Sequence, residues 1–197
     1  MSTRPDAALT LFGQDGRRKY LTASERSRFI TAAANCRRAE VGTLCLTLAH
    51  TGCRISEALA LTPASIDIEE GFIAFRSLKK RGALTYRLVP VPVELLERLR
   101  LVHLGPGATP DRIWQLSRSR AWQLVKLVMS EAEVALGPHR APKGLRHSFG
   151  IHAIRSGVPL NLLQRWLGHA SLATTAIYAS ALGPEEREIA SRMWGSS

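Results

Sequence analysis

Apolar residues with helical spacing dominate the first part of the chain. A capping box, Thr22-Ala-Ser-Glu25, precedes an apolar face and predicts a first helix. A second helix is predicted from about residue 38 to Gly52, because glycine is favoured just after a helix C-terminus. The same spacing predicts further helices from about residue 93 to 101 and from about 119 to 136.

Between the second and third predicted helices, apolar and polar residues alternate as they do in strands. The alternation covers residues 65–68, 71–76 and 85–90, and the last two segments flank a basic turn, Lys79-Lys-Arg-Gly82. We therefore expect a small antiparallel sheet of three strands with lysines at the tip of its hairpin. The predicted fold class is α+β, mainly α, with a helical bundle and this sheet on one side.

The stretch from Lys143 to Tyr178 contains short helix signals separated by glycine and proline. Cationic residues begin it, and Gly168 ends a helix and presents His169. Ser171 is placed to cap the last short helix, which carries the tyrosine. Groups that bind a phosphate and a group that can attack it thus share one compact unit. Two plainer interpretations fit this stretch alone: a helix-turn-helix that reads a DNA groove, or a tyrosine that packs in a core.

The charge of the chain favours a polyanionic partner. The 197 residues include 27 lysines and arginines against 16 acidic residues, so the formal net charge is +11 and the pI is near 10.6. A hydrophobic content of 45% argues against a disordered basic tail. No apolar run approaches the roughly 20 residues that span a bilayer, and the N-terminus lacks a signal sequence. We therefore expect a cytoplasmic protein with no membrane contact.

The cysteines and histidines lack the spacing of a metal site. Cys36, Cys45 and Cys53 form no C-x-x-C pair, and they are expected as buried thiols in a reducing compartment rather than as disulfides. The six histidines are scattered without an H-E-x-x-H motif. The sequence predicts no metal and no cofactor.

Several segments of the chain, taken together and in order, resemble the catalytic domain of the tyrosine recombinases, also called phage-integrase-type recombinases. They are Thr51-Gly-Cys-Arg54-Ile-Ser-Glu57-Ala-Leu, the Lys79 hairpin ending in Arg87-Leu-Val-Pro90, Leu145-Arg146-His147-Ser-Phe, Leu167-Gly-His169 and Tyr178. The resemblance runs from about Leu21 to the C-terminus. It implies the fold of that catalytic domain, double-stranded DNA as the partner, and site-specific recombination (integration, inversion or resolution) as the activity.

The resemblance also implies roles for individual residues. Arg54 and Arg146 correspond to the two catalytic arginines of the family. His169 corresponds to a position that holds histidine or tryptophan, and Tyr178 corresponds to the nucleophile.

Two lysines complete the implied catalytic set, one from the hairpin and one before Arg146. Lys79 resembles the catalytic lysine of the hairpin, and the long turn leaves Lys80 as an alternative. Lys143 stands where the family usually has histidine. Lysine is an accepted variant at that position, so activity is expected, but the proton-accepting role of a histidine there is left open.

Contacts with DNA are expected from further basic residues of the hairpin and of the segment around Arg146. They are Lys80, Arg81, Arg87, Arg140 and His147. His147 matches a family histidine that is expected to be structural rather than catalytic.

The implied chemistry breaks a DNA strand through a covalent intermediate. Attack by Tyr178 would form a 3′-phosphotyrosyl link and release a 5′ hydroxyl, so that rejoining needs neither ATP nor Mg²⁺. The reference pKa of tyrosine is about 10, and we expect the clustered cations to favour the phenolate. Arginine forks would bind the non-bridging oxygens, and the hairpin lysine would protonate the leaving oxygen.

Three parts of the chain are predicted. They are a basic flexible arm (residues 1–20), the catalytic domain (21–183) and a C-terminal helix or tail (184–197). The arm either touches the DNA backbone or is simply solvated. The tail either packs on its own domain or is exchanged between protomers of a tetramer on DNA. In size the chain is similar to phase-variation invertases, so DNA is expected to be held from one face or with an accessory protein that supplies a core-binding domain.

Two other functions remain open from the sequence. A DNA-binding regulator or accessory subunit would keep the fold without recombination; Lys143 and the short N-terminal region favour it, whereas the intact arginines, His169 and Tyr178 argue against it. A topoisomerase-like relaxing enzyme would use the same phosphotyrosine chemistry.

Overall fold

The computed structural model describes residues 11–78, 84–105 and 111–179. These residues form eight helices and three strands in the order α1 (Ala23–Ala34), α2 (Ala39–Thr51), α3 (Ile55–Ala58), β1 (Ile66–Asp67), β2 (Phe72–Leu78), β3 (Leu84–Pro90), α4 (Val93–His103), α5 (Arg118–Glu131), α6 (Pro142–Arg155), α7 (Leu160–Leu167) and α8 (Leu172–Ala176). A short 3₁₀ turn, Pro63–Ser65, leads into β1. The mainly helical α+β class is confirmed.

The first helix begins where the sequence predicts, and the second begins and ends where it predicts. At the start of α1, the Thr22 hydroxyl accepts a hydrogen bond from the Glu25 N–H, and the Glu25 carboxylate accepts one from the Thr22 N–H at 2.8 Å. Helix α2 ends at Gly52, which adopts the left-handed conformation with φ of 61°. Since α2 is buried from Val41 to Ala49, it lies at the centre of the bundle and packs against α1, α4 and α6.

The three strands form one antiparallel sheet in the order β1-β2-β3, as predicted. Ile73 pairs with Val89 and both are buried, whereas Tyr86 and Leu88 are exposed on the other face. One face of the sheet therefore covers the helical core. The predicted turn with Lys79, Lys80 and Arg81 lies outside the described residues.

Helix α5 is shorter than the hydrophobic pattern predicts. It ends at Glu131 rather than near residue 136. Glu133 has a φ of 52°, and the Val134 N–H bonds to the Met129 carbonyl at 2.9 Å. This left-handed turn directs Val134 into the core, where it is buried, and burial of one more apolar side chain replaces the last helical turn.

A second apolar cluster lies beneath α6, α7 and α8. It includes Leu11, which comes from the segment expected as a flexible arm. Phe12 and Arg18 form an antiparallel bridge, and the Lys19 N–H bonds to the Leu11 carbonyl at 2.8 Å. Leu11 and Tyr20 thus pack on this cluster, whereas residues 14–17 between them are exposed. The predicted arm therefore contacts the domain at these two residues; residues 1–10 lie outside the described residues.

The three cysteines of the chain are free. Cys45 and Cys53 are buried free thiols as expected, and Cys36 is half-buried. Within the described ranges, no helix has the length and apolar character needed to cross a bilayer.

Candidate active site

A cavity of about 430 Å³ opens where the ends of α2 and α7 meet the start of α6. Its lining includes five residues that the sequence assigns to one site: Arg54, Lys143, Arg146, His169 and Tyr178. The structure therefore brings the predicted cations and the predicted nucleophile together.

Arg146 is held by the C-terminal ends of two helices. Its two terminal nitrogens donate to the Gly52 carbonyl after α2 and to the Leu167 carbonyl at the end of α7, each at 2.8 Å. Carbonyls at helix C-termini lack partners within the helix and carry partial negative charge, so they suit a buried guanidinium. Burial lowers the pKa of Arg146 to about 10, which leaves it charged at neutral pH.

Arg54 lies three residues after Thr51, the last residue of α2, and occupies the N-cap of α3. Its side chain is about half exposed, and its guanidinium donates to Glu57 Oε1 at 3.0 Å. The Arg54 N–H also donates to Glu57 Oε2 at 2.7 Å. The two arginines of the site therefore differ: Arg146 is fixed and buried, and Arg54 is anchored at one side and open to solvent.

His169 follows the left-handed Gly168, whose φ is 66° and which ends α7. The His169 N–H bonds to the Gln164 carbonyl at 3.1 Å, and its ring Nδ1 lies 2.9 Å from the buried Thr175 hydroxyl. Burial, followed by the charges of Arg146 and Arg54, lowers the pKa of His169 to about 4. The imidazole is therefore neutral at physiological pH.

Tyr178 is almost completely buried, with 1% of its surface exposed, although it lines the cavity. Its ring packs over Gly150, where an added Cβ would lie 2.6 Å from ring atoms, and stacks on the His169 ring with centroids 6.3 Å apart. Burial raises the pKa of Tyr178 to about 12, and Arg146 and Arg54 offset only part of this. The two arginines thus favour the phenolate as expected, but in the protein without DNA the desolvation of the phenolate outweighs them and the net pKa shift is upward.

The chain is similar to known proteins over most of its length. Residues 19–183 match the model of the phage integrase family. The chain belongs to this family. It is 32% identical over 169 residues to the tyrosine recombinase XerA of Thermococcus kodakarensis, covering 81% of this chain and 57% of that protein. It is 35% identical over 158 residues to the tyrosine recombinase XerD of Mycobacterium leprae, covering 72% of this chain and 48% of that protein. The chain thus spans about half the length of these relatives.

Two solved structures share the fold of this chain. A XerA recombinase crystal structure matches 90% of this chain and 64% of its own chain, with a TM-score of 0.73 and 26% identity. The catalytic domain of bacteriophage HP1 integrase matches 88% of this chain and 93% of its own chain, with a TM-score of 0.64 and 24% identity. The fold predicted from the motifs is therefore confirmed.

Glu57 is a residue of this site to which the sequence interpretation assigned no role. Its carboxylate binds Arg54 and also Arg87, whose terminal nitrogens donate at 2.7 and 3.2 Å. Arg87 is buried; its Nε donates to the Trp166 carbonyl at 2.9 Å, and its guanidinium lies over the Phe75 ring. The prediction that Arg87 contacts DNA is thus corrected: its side chain joins β3 to α3 and α7. The sequence contains one signal that could have indicated a role for Glu57: its carboxylate lies three residues after Arg54, in the capping position of α3.

We expect Glu57→Gln to lower the free energy of unfolding by about 2 kcal/mol, since hydrogen bonds to a charged partner contribute about that much and the buried Arg87 loses its counter-charge. Urea denaturation measures the change. Glu97→Gln is the matched control, because Glu97 pairs with Arg100 at an exposed position, where an ion pair contributes at most about 1 kcal/mol. Equal effects of the two substitutions would contradict the assigned role of Glu57.

The remaining predicted site residues differ in where they lie relative to the cavity. Lys143 is exposed at the rim of the cavity. His147 is buried, and its ring Nδ1 lies 3.2 Å from the Tyr178 hydroxyl, so it faces the predicted nucleophile rather than the protein surface expected for a DNA contact. Arg140 is half-buried in the loop before α6 and is not among the described residues that line the cavity. Lys79, Lys80 and Arg81 lie outside the described residues.

The neutral histidines predict a loss of stability in mild acid. Burial is the main factor that lowers the pKa of His50, His147 and His169 to about 4, whereas an unfolded chain binds these protons at a pKa near 6.5. The unfolded state therefore carries more protons between about pH 6.5 and 4, so the free energy of unfolding should fall as the pH is lowered through this window. The slope is at most about 1.4 kcal/mol per pH unit for each proton.

Urea midpoints at pH 7, 6 and 5 measure this dependence. His50→Gln, outside the site, should make it shallower because one proton uptake is removed. A midpoint that does not change from pH 7 to 5 would show that these histidines are not held neutral.

Proposed function

We propose that the protein is a site-specific DNA recombinase that cleaves and rejoins DNA through a 3′-phosphotyrosyl intermediate. The observation that carries this proposal is the cavity in which Arg54, Arg146, His169 and Tyr178 meet. Cations and a neutral imidazole around a hydroxyl nucleophile suit a phosphodiester, whose negative charge grows on its non-bridging oxygens during attack.

Each group has a task in this reaction. Arg146, fixed by two carbonyls, and Arg54, open to solvent, bind the non-bridging oxygens of the phosphate that is cut. His169 supplies a neutral N–H donor to the same oxygens, and Lys143 adds positive charge at the rim. Tyr178 attacks the phosphorus, and the aryl phosphate ester that forms keeps the bond energy needed for rejoining.

The leaving 5′ oxygen needs a proton, and we assign its donation to the hairpin lysine, Lys79 or Lys80. The base of this hairpin is tied to the site, because Arg87 of β3 binds the same carboxylate of Glu57 that binds Arg54. This link supports the assignment, since the strands that carry the turn are anchored beside the first catalytic arginine.

Double-stranded DNA is the proposed partner. The net charge of +11 favours it, and the related XerH recombinase has been solved bound to its difH substrate, with a TM-score of 0.70 and 22% identity to this chain. We further propose that four protomers assemble on two DNA sites and that an accessory protein contributes to holding the DNA. The predicted exchange of residues 184–197 between protomers stays a prediction, because this segment lies outside the described residues.

Trapping on nicked suicide substrates tests the function. Duplexes made from DNA that flanks the gene carry a nick beside the scissile phosphate, so that a short 5′-hydroxyl fragment diffuses away and rejoining is blocked. The expected result is an SDS-resistant protein–DNA adduct. Supercoiled plasmid that lacks a recombination site should not be relaxed, and site-independent relaxation would indicate a topoisomerase-like enzyme instead.

A further inference from the structure

The hydroxyl of Tyr178 has a specific hydrogen-bonding partner. Among the described residues, the hydrogen-bonding contact of its hydroxyl is with Nδ1 of His147, at 3.2 Å. The lysine and arginine side chains among the described residues that line the same cavity carry only donors; they are Arg54, Arg118, Lys143 and Arg146. A phenol surrounded by such groups directs its proton to the imidazole nitrogen and its lone pairs towards the cavity.

The second histidine of the site is placed differently. The His169 ring lies parallel to the Tyr178 ring, 10° from coplanar, so the two rings contact each other through their faces. The Nδ1 of His169 is engaged with Thr175. The two histidines therefore contact Tyr178 differently: His169 packs on its ring, and His147 contacts its hydroxyl.

The charge state of His147 suits proton acceptance. Burial, followed by the charges of Lys143, Arg146 and Lys19, lowers the pKa of His147 to about 4, so the ring is neutral at physiological pH. Its Nε2 is buried without a hydrogen-bonding partner among the described residues. A neutral imidazole that accepts at Nδ1 carries its proton at Nε2. Lys143, in contrast, is a donor when charged and cannot accept a proton.

We propose that His147 is the catalytic residue that takes the proton of Tyr178 during DNA cleavage and returns it during rejoining, an inference that rests on the proposed recombinase function. In cleavage, the Tyr178 oxygen forms a bond to phosphorus as its proton moves to His147 Nδ1. The bond from phosphorus to the 5′ oxygen breaks, its electron pair stays on that oxygen, and the hairpin lysine protonates it. Rejoining reverses each transfer.

A weak base suffices for this step because the transfer accompanies the attack. As the phenolic oxygen bonds to phosphorus it becomes strongly acidic, and the negatively charged DNA phosphate offsets the surrounding cations. His147 need not hold the proton for long, since the leaving tyrosine takes it back when the 5′ hydroxyl attacks.

The first arm of the test is nitrogen NMR of the whole protein with ¹⁵N-labelled histidine and without DNA. The His147 signals are assigned by their loss in His147→Asn. We expect protonation at Nε2 and an unprotonated Nδ1 at pH 7, with the Nδ1 signal shifted in Tyr178→Phe. A proton on Nδ1, or an Nδ1 signal that is unchanged in Tyr178→Phe, overturns the proposal.

The second arm measures adduct formation on suicide substrates. His147→Phe should slow it by about 10²-fold, near the lower end of general-base effects, with unchanged DNA binding. His147→Asn keeps an acceptor oxygen without basicity and should lie between, and added imidazole should accelerate His147→Ala. His152→Phe, an exposed position on the same helix, is the control and should match the wild type.

The outcomes separate the two claims. A His147→Phe rate equal to the wild type, or a slow His147→Ala without imidazole rescue, overturns the role of His147 while the recombinase function stands. A wild-type protein that forms no adduct refutes the function itself, and the nitrogen spectra still decide which atom accepts the tyrosine's proton.

Discussion

Tyr178→Phe should abolish the covalent adduct with DNA while the protein stays folded and still binds DNA. Without the hydroxyl no phosphotyrosyl bond can form, so we expect a loss of at least about 10⁴-fold in adduct yield, as for other covalent nucleophiles. The phenylalanine ring keeps the packing on Gly150 and the stacking on His169, and the lost contact with His147 lowers stability by only about 1 kcal/mol. Denaturing gels of suicide-substrate reactions measure the adduct, and a mobility shift measures binding.

Tyr86→Phe is the matched control for this experiment. Tyr86 lies on the exposed face of the sheet, with 64% of its surface accessible, and should be replaced without effect on the adduct. An adduct that persists in Tyr178→Phe, or that disappears in Tyr86→Phe, would place the nucleophile elsewhere.

Arg146→Ala should impair both the reaction and the fold. The rate of adduct formation should fall by about 10²–10³-fold, since one fixed donor to the transition state is lost. The carbonyls of Gly52 and Leu167 lose their shared partner, and each unsatisfied buried group costs about 1–3 kcal/mol, so the free energy of unfolding should fall by several kcal/mol. Single-turnover assays measure the rate, and urea denaturation measures the stability. Both are performed below the temperature at which the variant unfolds.

Arg54→Ala separates these effects. Arg54 is half exposed, and Glu57 remains paired with Arg87 when it is removed. A similar loss of rate is therefore expected with little change in stability. If Arg146→Ala kept the wild-type rate, or if Arg54→Ala were as unstable as Arg146→Ala, the assigned geometry would be contradicted.

Local signals in the sequence predicted much of the fold. The capping box at Thr22 and the glycines at 52 and 168 mark helix ends that the structure confirms, because capping depends on a few neighbouring residues. The strands followed from alternation over short segments. The end of α5 could not be predicted in this way, since it depends on the burial of Val134 by tertiary packing.

The site was predicted as a set of residues but not as a set of contacts. Arg87 resembled a DNA-contacting arginine until its pairing with Glu57, thirty positions away, placed it in the interior. The raised pKa of Tyr178 depends on burial by Gly150 and His169, which no local pattern encodes. The packing of Leu11 and Tyr20 likewise depends on an apolar cluster formed by residues far away in the sequence.

The position of the covalent bond tests the central claim most directly. Wild-type protein trapped on a suicide substrate is digested with trypsin and nuclease, and the modified peptide is sequenced by mass spectrometry. The account predicts a nucleotide joined through its 3′ phosphate to Tyr178, with a free 5′ hydroxyl on the released fragment. A nucleotide on any other side chain, or a 5′-phosphate link, would contradict it.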